Sequence, residues 1–169
     1  SFPRNVGQIP VYYNHKNTGR PQSGSNWQKF HSNYLDVAND PLYPFGYGLS
    51  YTTFNYSEIT MDKSSIRPSE KLTISVTVSN SGNYDGEETV QLYCHELAAS
   101  ITQPVKKLIG FKKVFLKKGE SKKIVFTISS EDLKFYNSSL QRVVEPGAFK
   151  VFVGGNSRDV KEADFKLVR

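Results

Sequence analysis

From Leu72 to Val78 the chain alternates apolar and small polar residues without a break, Leu72, Ile74, Val76 and Val78 against Thr73, Ser75 and Thr77. Successive side chains of a strand point to opposite faces, so this period of two predicts a strand with one buried face. The pattern recurs at Val90, Leu92 and Cys94, at Ile124, Phe126 and Ile128, at Phe149, Val151 and Val153, and more weakly over 164–167. Turn-forming clusters separate these runs, at 82–86, 118–120, 145–147 and 154–157. One stretch departs from strand character: in 129–137, Ser129 stands three residues before Asp132 in capping-box order, which predicts a single helical turn.

About seven short strands at this spacing predict an all-β fold, an antiparallel β-sandwich of immunoglobulin-like shape, over residues 51–169. Residues 1–50 read differently. They are rich in Asn, Gly, Pro and aromatics, hold neither periodicity for long, and carry turn signals at 18–21, 23–24 and 39–41. They are expected to form an irregular N-terminal connector. At its end, PLYPFGYGLSYTTF crowds Tyr43, Phe45, Tyr47, Tyr51 and Phe54 between two prolines and two glycines. Pro41 and Pro44 restrict the backbone, and Gly46 and Gly48 are expected to let it pack closely.

Composition removes several kinds of chemistry. A lone Cys94 forms no internal disulfide, and His15, His31 and His95 have no partners at zinc-ligand spacing, so neither metal nor cofactor is expected. Cys94 shares a face with Val90 and Leu92, while His95 points the other way, which argues against a Cys-His nucleophile pair. No apolar run approaches the roughly 20 residues of a membrane span, and SFPRNVGQIP has no signal-peptide pattern. No membrane contact is expected.

The net charge of +6 rests mostly on lysine, with doublets at 106–107, 112–113, 117–118 and 122–123 and Glu120 the only acid among them. Lysines on an edge strand and its flanking turns deter pairing with another molecule, and no nucleic-acid reading motif accompanies the charge. No nucleic acid is expected. Asp85, Glu87 and Glu88 read as turn carboxylates, and Glu131 with Asp132 as acids at a helix N-terminus. A cluster formed by Tyr12, Tyr13, Trp27, Phe30 and Tyr34 could stack on sugars. As one exposed patch it fits a docking surface better.

Five stretches in order carry a resemblance. SFPRNVGQIPVYYNHKNTGRP resembles the passage closing the second, α/β-sandwich domain of family 3 glycoside hydrolases, the group that includes periplasmic β-glucosidases. YLDVANDPLYPFGYGLSYTTF resembles the crossing into their third domain. VSNSGNYDGEETVQLY, LIGFKKVFLKKGESKKIVFTI and DLKFYNSSLQRVVEPGAFKVFVGG resemble that third domain, which is fibronectin type III-like. The resemblance implies a division into 1–50, connector and tail of the preceding domain, and 51–169, the sandwich.

It further implies a non-catalytic C-terminal module of a periplasmic or secreted β-glucosidase-like enzyme that acts on a β-linked oligosaccharide or glucoside. The catalytic domains of the parent would be its partners. Their Asp nucleophile and acid/base motifs find no match here, so no catalytic residue is expected and the chain alone is expected to be inactive. Tyr43, Phe45, Tyr47 and Tyr51 are expected at the interdomain contact, and Asn14, Lys16 and Arg20 at the rim of the substrate cleft or at a homodimer contact. The alternative is a stand-alone carbohydrate-binding or adhesion module using the aromatics of the first fifty residues.

Overall fold

The computed structural model describes residues 1–17, 20 and 29–169. The strands are β1 (Phe54–Tyr56), β2 (Thr60–Met61), β3 (Ser65–Ile66), β4 (Lys71–Asn80), β5 (Gly86–Glu96), β6 (Lys107–Leu116) and β7 (Ser121–Ser129). After the helical turn α1 (Ser130–Leu133) come β8 (Phe135–Tyr136), β9 (Arg142–Val143), β10 (Gly147–Gly154) and β11 (Val160–Leu167). One sheet is centred on β4, paired with β7 along one edge and with β1 and β2 along the other. The second runs β3-β11-β10-β5-β6, antiparallel except between β3 and β11. β8 and β9 form a separate small hairpin.

The alternating runs close on one another as a sandwich. Leu72, Ile74, Val76 and Val78 of β4 and Ile124, Phe126 and Ile128 of β7 face Val90, Leu92 and Cys94 of β5 and Phe149, Val151 and Val153 of β10. Phe149 stacks on Phe165 of β11 with ring centroids 5.2 Å apart. Each such side chain, removed from water, contributes roughly 1.5–3 kcal/mol, which is what holds two sheets together in a chain without disulfides. The capping box at α1 forms as read: the Ser129 backbone N–H donates to Asp132 Oδ2 at 2.8 Å.

Two expectations are corrected. The short strands β1, β2, β3, β8 and β9 were not foreseen; two or three residues are too few to show a period. The second correction concerns β5, where alternation predicted one buried face and the structure buries both. Gln91 and Tyr93, on the face away from the sandwich interior, are as buried as Leu92, because residues of the connector cover them.

The lysines lie where edge protection needs them. β6 ends its sheet, and β7 pairs only with β4. Lys112 of β6 donates to the Val125 carbonyl of β7 at 2.6 Å, and Lys122 of β7 returns a bond to the Phe115 carbonyl of β6 at 2.8 Å. These reciprocal bonds cross the open side of the sandwich and satisfy edge carbonyls that another strand could otherwise recruit.

Candidate docking surface

The connector is ordered by side chains rather than by regular strands. Phe2 forms an antiparallel bridge with Tyr43, its N–H donating to the Tyr43 carbonyl at 2.9 Å. Between these ends Gln8 is fully buried. Its Nε2 donates to the carbonyls of Ala38, Asn39 and Asp40 at 2.8, 3.1 and 3.0 Å, and its Oε1 accepts from the Arg4 N–H at 2.7 Å. The Tyr34 hydroxyl donates to the Gln8 carbonyl at 2.8 Å. One amide thus gathers two stretches thirty residues apart, satisfying backbone groups that a loop would otherwise leave unpaired.

A second buried amide fastens this connector to β5. Gln91 Nε2 donates to the carbonyl of Gly46 at 3.1 Å and to that of Gly155 at 2.6 Å, while Tyr93 Oη donates to Gln91 Oε1 at 2.5 Å. Gly46 has φ of 79°, and a Cβ there would lie 2.0 Å from Gln91 Oε1. Only glycine fits both the backbone and the space. Gly48 differs from its expectation: nothing lies within 4 Å of where its Cβ would be, so close packing belongs to Gly46 alone. Beside the latch, Tyr13 stacks on Phe45 at 4.2 Å and meets the Tyr93 ring edge-on at 5.7 Å. Burial pushes the Tyr93 phenol above its ordinary range, so it remains a hydrogen-bond donor.

The aromatics named from the sequence therefore divide. Phe45 turns inward to Tyr13 and β5. Tyr43 and Tyr47 pack against each other at 5.0 Å with half their surface open, and Tyr51 is almost wholly exposed. Of the aromatics of the first fifty residues, Tyr13 and Tyr34 are engaged inside the connector, Tyr12 and Phe30 are exposed, and Trp27 lies outside the described residues, as do most of the turn signals over 18–24.

Asn14, Lys16 and Arg20 are exposed. Lys16 bridges to Pro104, and the Val105 N–H donates to the His15 carbonyl at 2.9 Å. Lys16 also borders an open groove of about 770 Å³ between connector and sandwich, lined further by Tyr12, His15, Asn33, Lys106 and Arg158.

Residues 88–157 match the family model of the fibronectin type III-like domain. Over 99% of its length the chain is 49% identical to the periplasmic beta-glucosidase of Salmonella typhimurium, and it covers 22% of that protein. A putative beta-xylosidase of Formosa agariphila is 41% identical over 99% of the chain, which covers 21% of it. Among solved structures, the beta-glucosidase of Listeria innocua in complex with glucose superposes with a TM-score of 0.93 at 44% identity, over 100% of this chain and 24% of that one. The chain spans about a fifth of the length of the relatives it matches.

The chain belongs to the fibronectin type III-like C-terminal region of family 3 glycoside hydrolases.

Within this fibronectin type III-like module the carboxylates read from the sequence serve structure. Asp85 accepts from the Lys118 N–H at 2.7 Å, Glu87 pairs with Lys113 at 2.6 Å, Glu88 accepts from the Tyr56 hydroxyl at 2.5 Å, and Glu131 pairs with Lys134 and Arg142. Cys94 is buried and its thiol is pushed up to about 12 by desolvation, so it holds no reactive thiolate at neutral pH.

One acid was missed. Glu96, at the end of β5, is only 8% exposed, and its Oε1 has no hydrogen-bond partner among the described residues. Burial, and then the charge of Glu145, push its carboxyl up to about 7. It borders a small cavity of about 30 Å³ with Cys94, Lys107 and Asp132. Its parity with Leu92 and Cys94 was the available signal: continuing that alternation two residues further points Glu96 inward.

Proposed function

We propose that this module is a non-catalytic support for the catalytic domains of a β-glucosidase-like family 3 enzyme, which hydrolyses a β-linked glucoside or oligosaccharide in the periplasm or outside the cell. The names of the relatives support the reaction class, and that of the Salmonella relative supports the compartment. The observation that carries the role is the crossing segment, fastened from beneath by Gln91 while Tyr43, Tyr47 and Tyr51 face outward. Exposed rings on a backbone held in place are surface prepared for another body.

Replacing Tyr43, Tyr47 and Tyr51 by serine in the complete polypeptide is expected to lower its Tm by at least several degrees while kcat of the folded enzyme stays within about twofold. Unchanged unfolding would refute the role. Asn14, Lys16 and Arg20 stand in this reading at the rim of the substrate cleft. Their replacement by alanine is expected to raise KM for glucosides with bulky aglycones and to leave kcat unaltered. An equal effect on all aglycones would remove them from the rim.

A further inference from the structure

Residues 97–106, which lead from β5 to β6, touch two parts of the molecule that are otherwise separate. They supply Gln103 and Pro104 to the wall of the small cavity at Glu96. They also carry the connector: the Val105 N–H donates to the His15 carbonyl at 2.9 Å, and Pro104 forms an antiparallel bridge with Lys16. Pro104 belongs to both contacts. No strand or helix runs through the segment, and a few bonds tie it to the sandwich. The Leu97 N–H donates to the Ala148 carbonyl at 3.0 Å, the Ser100 N–H donates to Glu145 at 2.8 Å, and the Pro104 carbonyl accepts from His95 Nδ1 at 2.8 Å.

Glu96 faces titratable or charged groups from every element around it. These are the Cys94 thiol of β5, Lys107 of β6, Asp132 and Lys134 at the end of α1, and Glu145 ahead of β10. None of them bonds its Oε1. Lys107 reaches the Asp132 carbonyl at 3.5 Å instead, and Lys134 pairs with Glu131. A cavity of about 30 Å³ has room for about one water, too little to hydrate a carboxylate. The neutral acid fits this place, and the ionised one needs a wall to open. β6 and β10 are held in the sheet ladder, and α1 is held by its capping box and by Ser130 Oγ, which donates to the Pro68 carbonyl at 2.8 Å. The wall free to yield is 97–106.

We propose that Glu96 is a proton-dependent lock on residues 97–106, and that its ionisation loosens the pairing of 104–105 with residues 15–16 of the connector. Opening the segment returns Glu96 to water, where it is an ordinary carboxylate, whereas the closed segment keeps its proton to higher pH. The opening equilibrium therefore rises with pH over that interval and is level above it. His95 does not reverse the effect, since a neutral and a charged imidazole can both donate to a carbonyl. Lys16 takes part in this pairing and Asn14 lies beside it, so both move with the lock, whether or not they reach a substrate.

The test is hydrogen exchange of the complete polypeptide between pH 5 and 8, followed by mass spectrometry and corrected for the intrinsic rate at each pH. The Val105 amide is expected to lose protection about tenfold or more over this range, while β4 and β10 stay more protected throughout. In Glu96→Gln its protection is expected to remain at the level of the parent at pH 5. Glu145→Gln removes a charge that faces Glu96, so the loss is expected to be smaller and to level off at lower pH. Protection of Val105 that is constant with pH in the parent would overturn the proposal, as would the same decline in Glu96→Gln or an unaltered profile in Glu145→Gln. A loss of equal size in β4 and β10 would make the change a global unfolding and overturn it as well.

Discussion

Replacing Gln91 by alanine is expected to cost about 2–4 kcal/mol in urea unfolding, as much as a large-to-small substitution in the core, although the side chain lies on the far side of β5 from the core. The cost comes from what is left behind. The Gly155 carbonyl loses a donor at 2.6 Å, the Gly46 carbonyl loses one at 3.1 Å, and the fully buried Tyr93 hydroxyl loses its acceptor. A buried polar group stripped of its partner costs roughly 1–3 kcal/mol, so the Tyr93 hydroxyl carries that cost in full and the carbonyls of half-buried Gly155 and exposed Gly46 add a part of it. Gln91→Glu is expected to be no better than alanine, because a carboxylate brings no donor to two carbonyls. The connector should also be released: in the alanine variant, protease cleavage within 40–50 is expected to accelerate before β4 and β10 lose protection from hydrogen exchange. Gly46→Ala approaches the same defect from the connector, through a positive φ and a Cβ driven into Gln91, and should weaken the same attachment. An alanine variant within 0.5 kcal/mol of the parent would show that the connector is held by its other attachments, the Tyr13 and Phe45 rings and the backbone bonds at His15 and Phe45, and not by this amide.

The latch also explains what could and could not be read from residues in order. β4 announces itself because one face meets the core and the other meets solvent, so burial and alternation coincide. The capping box at Ser129 and Asp132 is local, closing within three residues, and was legible for that reason. β5 was legible on one face only. What buries Gln91 and Tyr93 arrives from segments forty-five and eighty residues upstream, at Gly46 and Tyr13, and no local pattern records that approach. Gln8 is the same case at greater extreme, a polar residue in a Gly- and Pro-rich stretch whose three carbonyl partners lie thirty residues away. Local pairing and core parity can be read along a sequence; the covering of one element by a distant irregular one cannot.

Glu96 gives the second large effect, and its sign is opposite to that of most carboxylates. In the folded module its carboxyl is pushed up to about 7 from an ordinary 4.5, first by burial and then by the charge of Glu145, which hydrogen bonds from Ser100 hold ionised. Between these two values the folded state keeps a proton that the unfolded chain has released, so stability falls as pH rises from about 4.5 to about 7 and is level above that. The whole change amounts to about 3 kcal/mol, reduced by the solvent screening of a group at the end of a strand. Glu70, Glu120, Glu131 and Glu145 are shifted the other way, by hydrogen bonds to Lys63, Lys117, Lys134 and Ser100 respectively, and their contribution is lost only as pH falls below the ordinary carboxylate range. The slope between pH 5 and 7 therefore belongs to Glu96 among the carboxylates with a resolved shift. Glu96→Gln supplies a neutral side chain of the same shape: its urea midpoint is expected to be flat across that range, to match the parent near pH 5, and to exceed it near pH 8 by about 2 kcal/mol. If the variant kept the parent's slope, or proved less stable at pH 8, the ionised carboxylate would have a partner at the end of β5 strong enough to offset its burial, and the neutral acid would not be the form that the folded state selects.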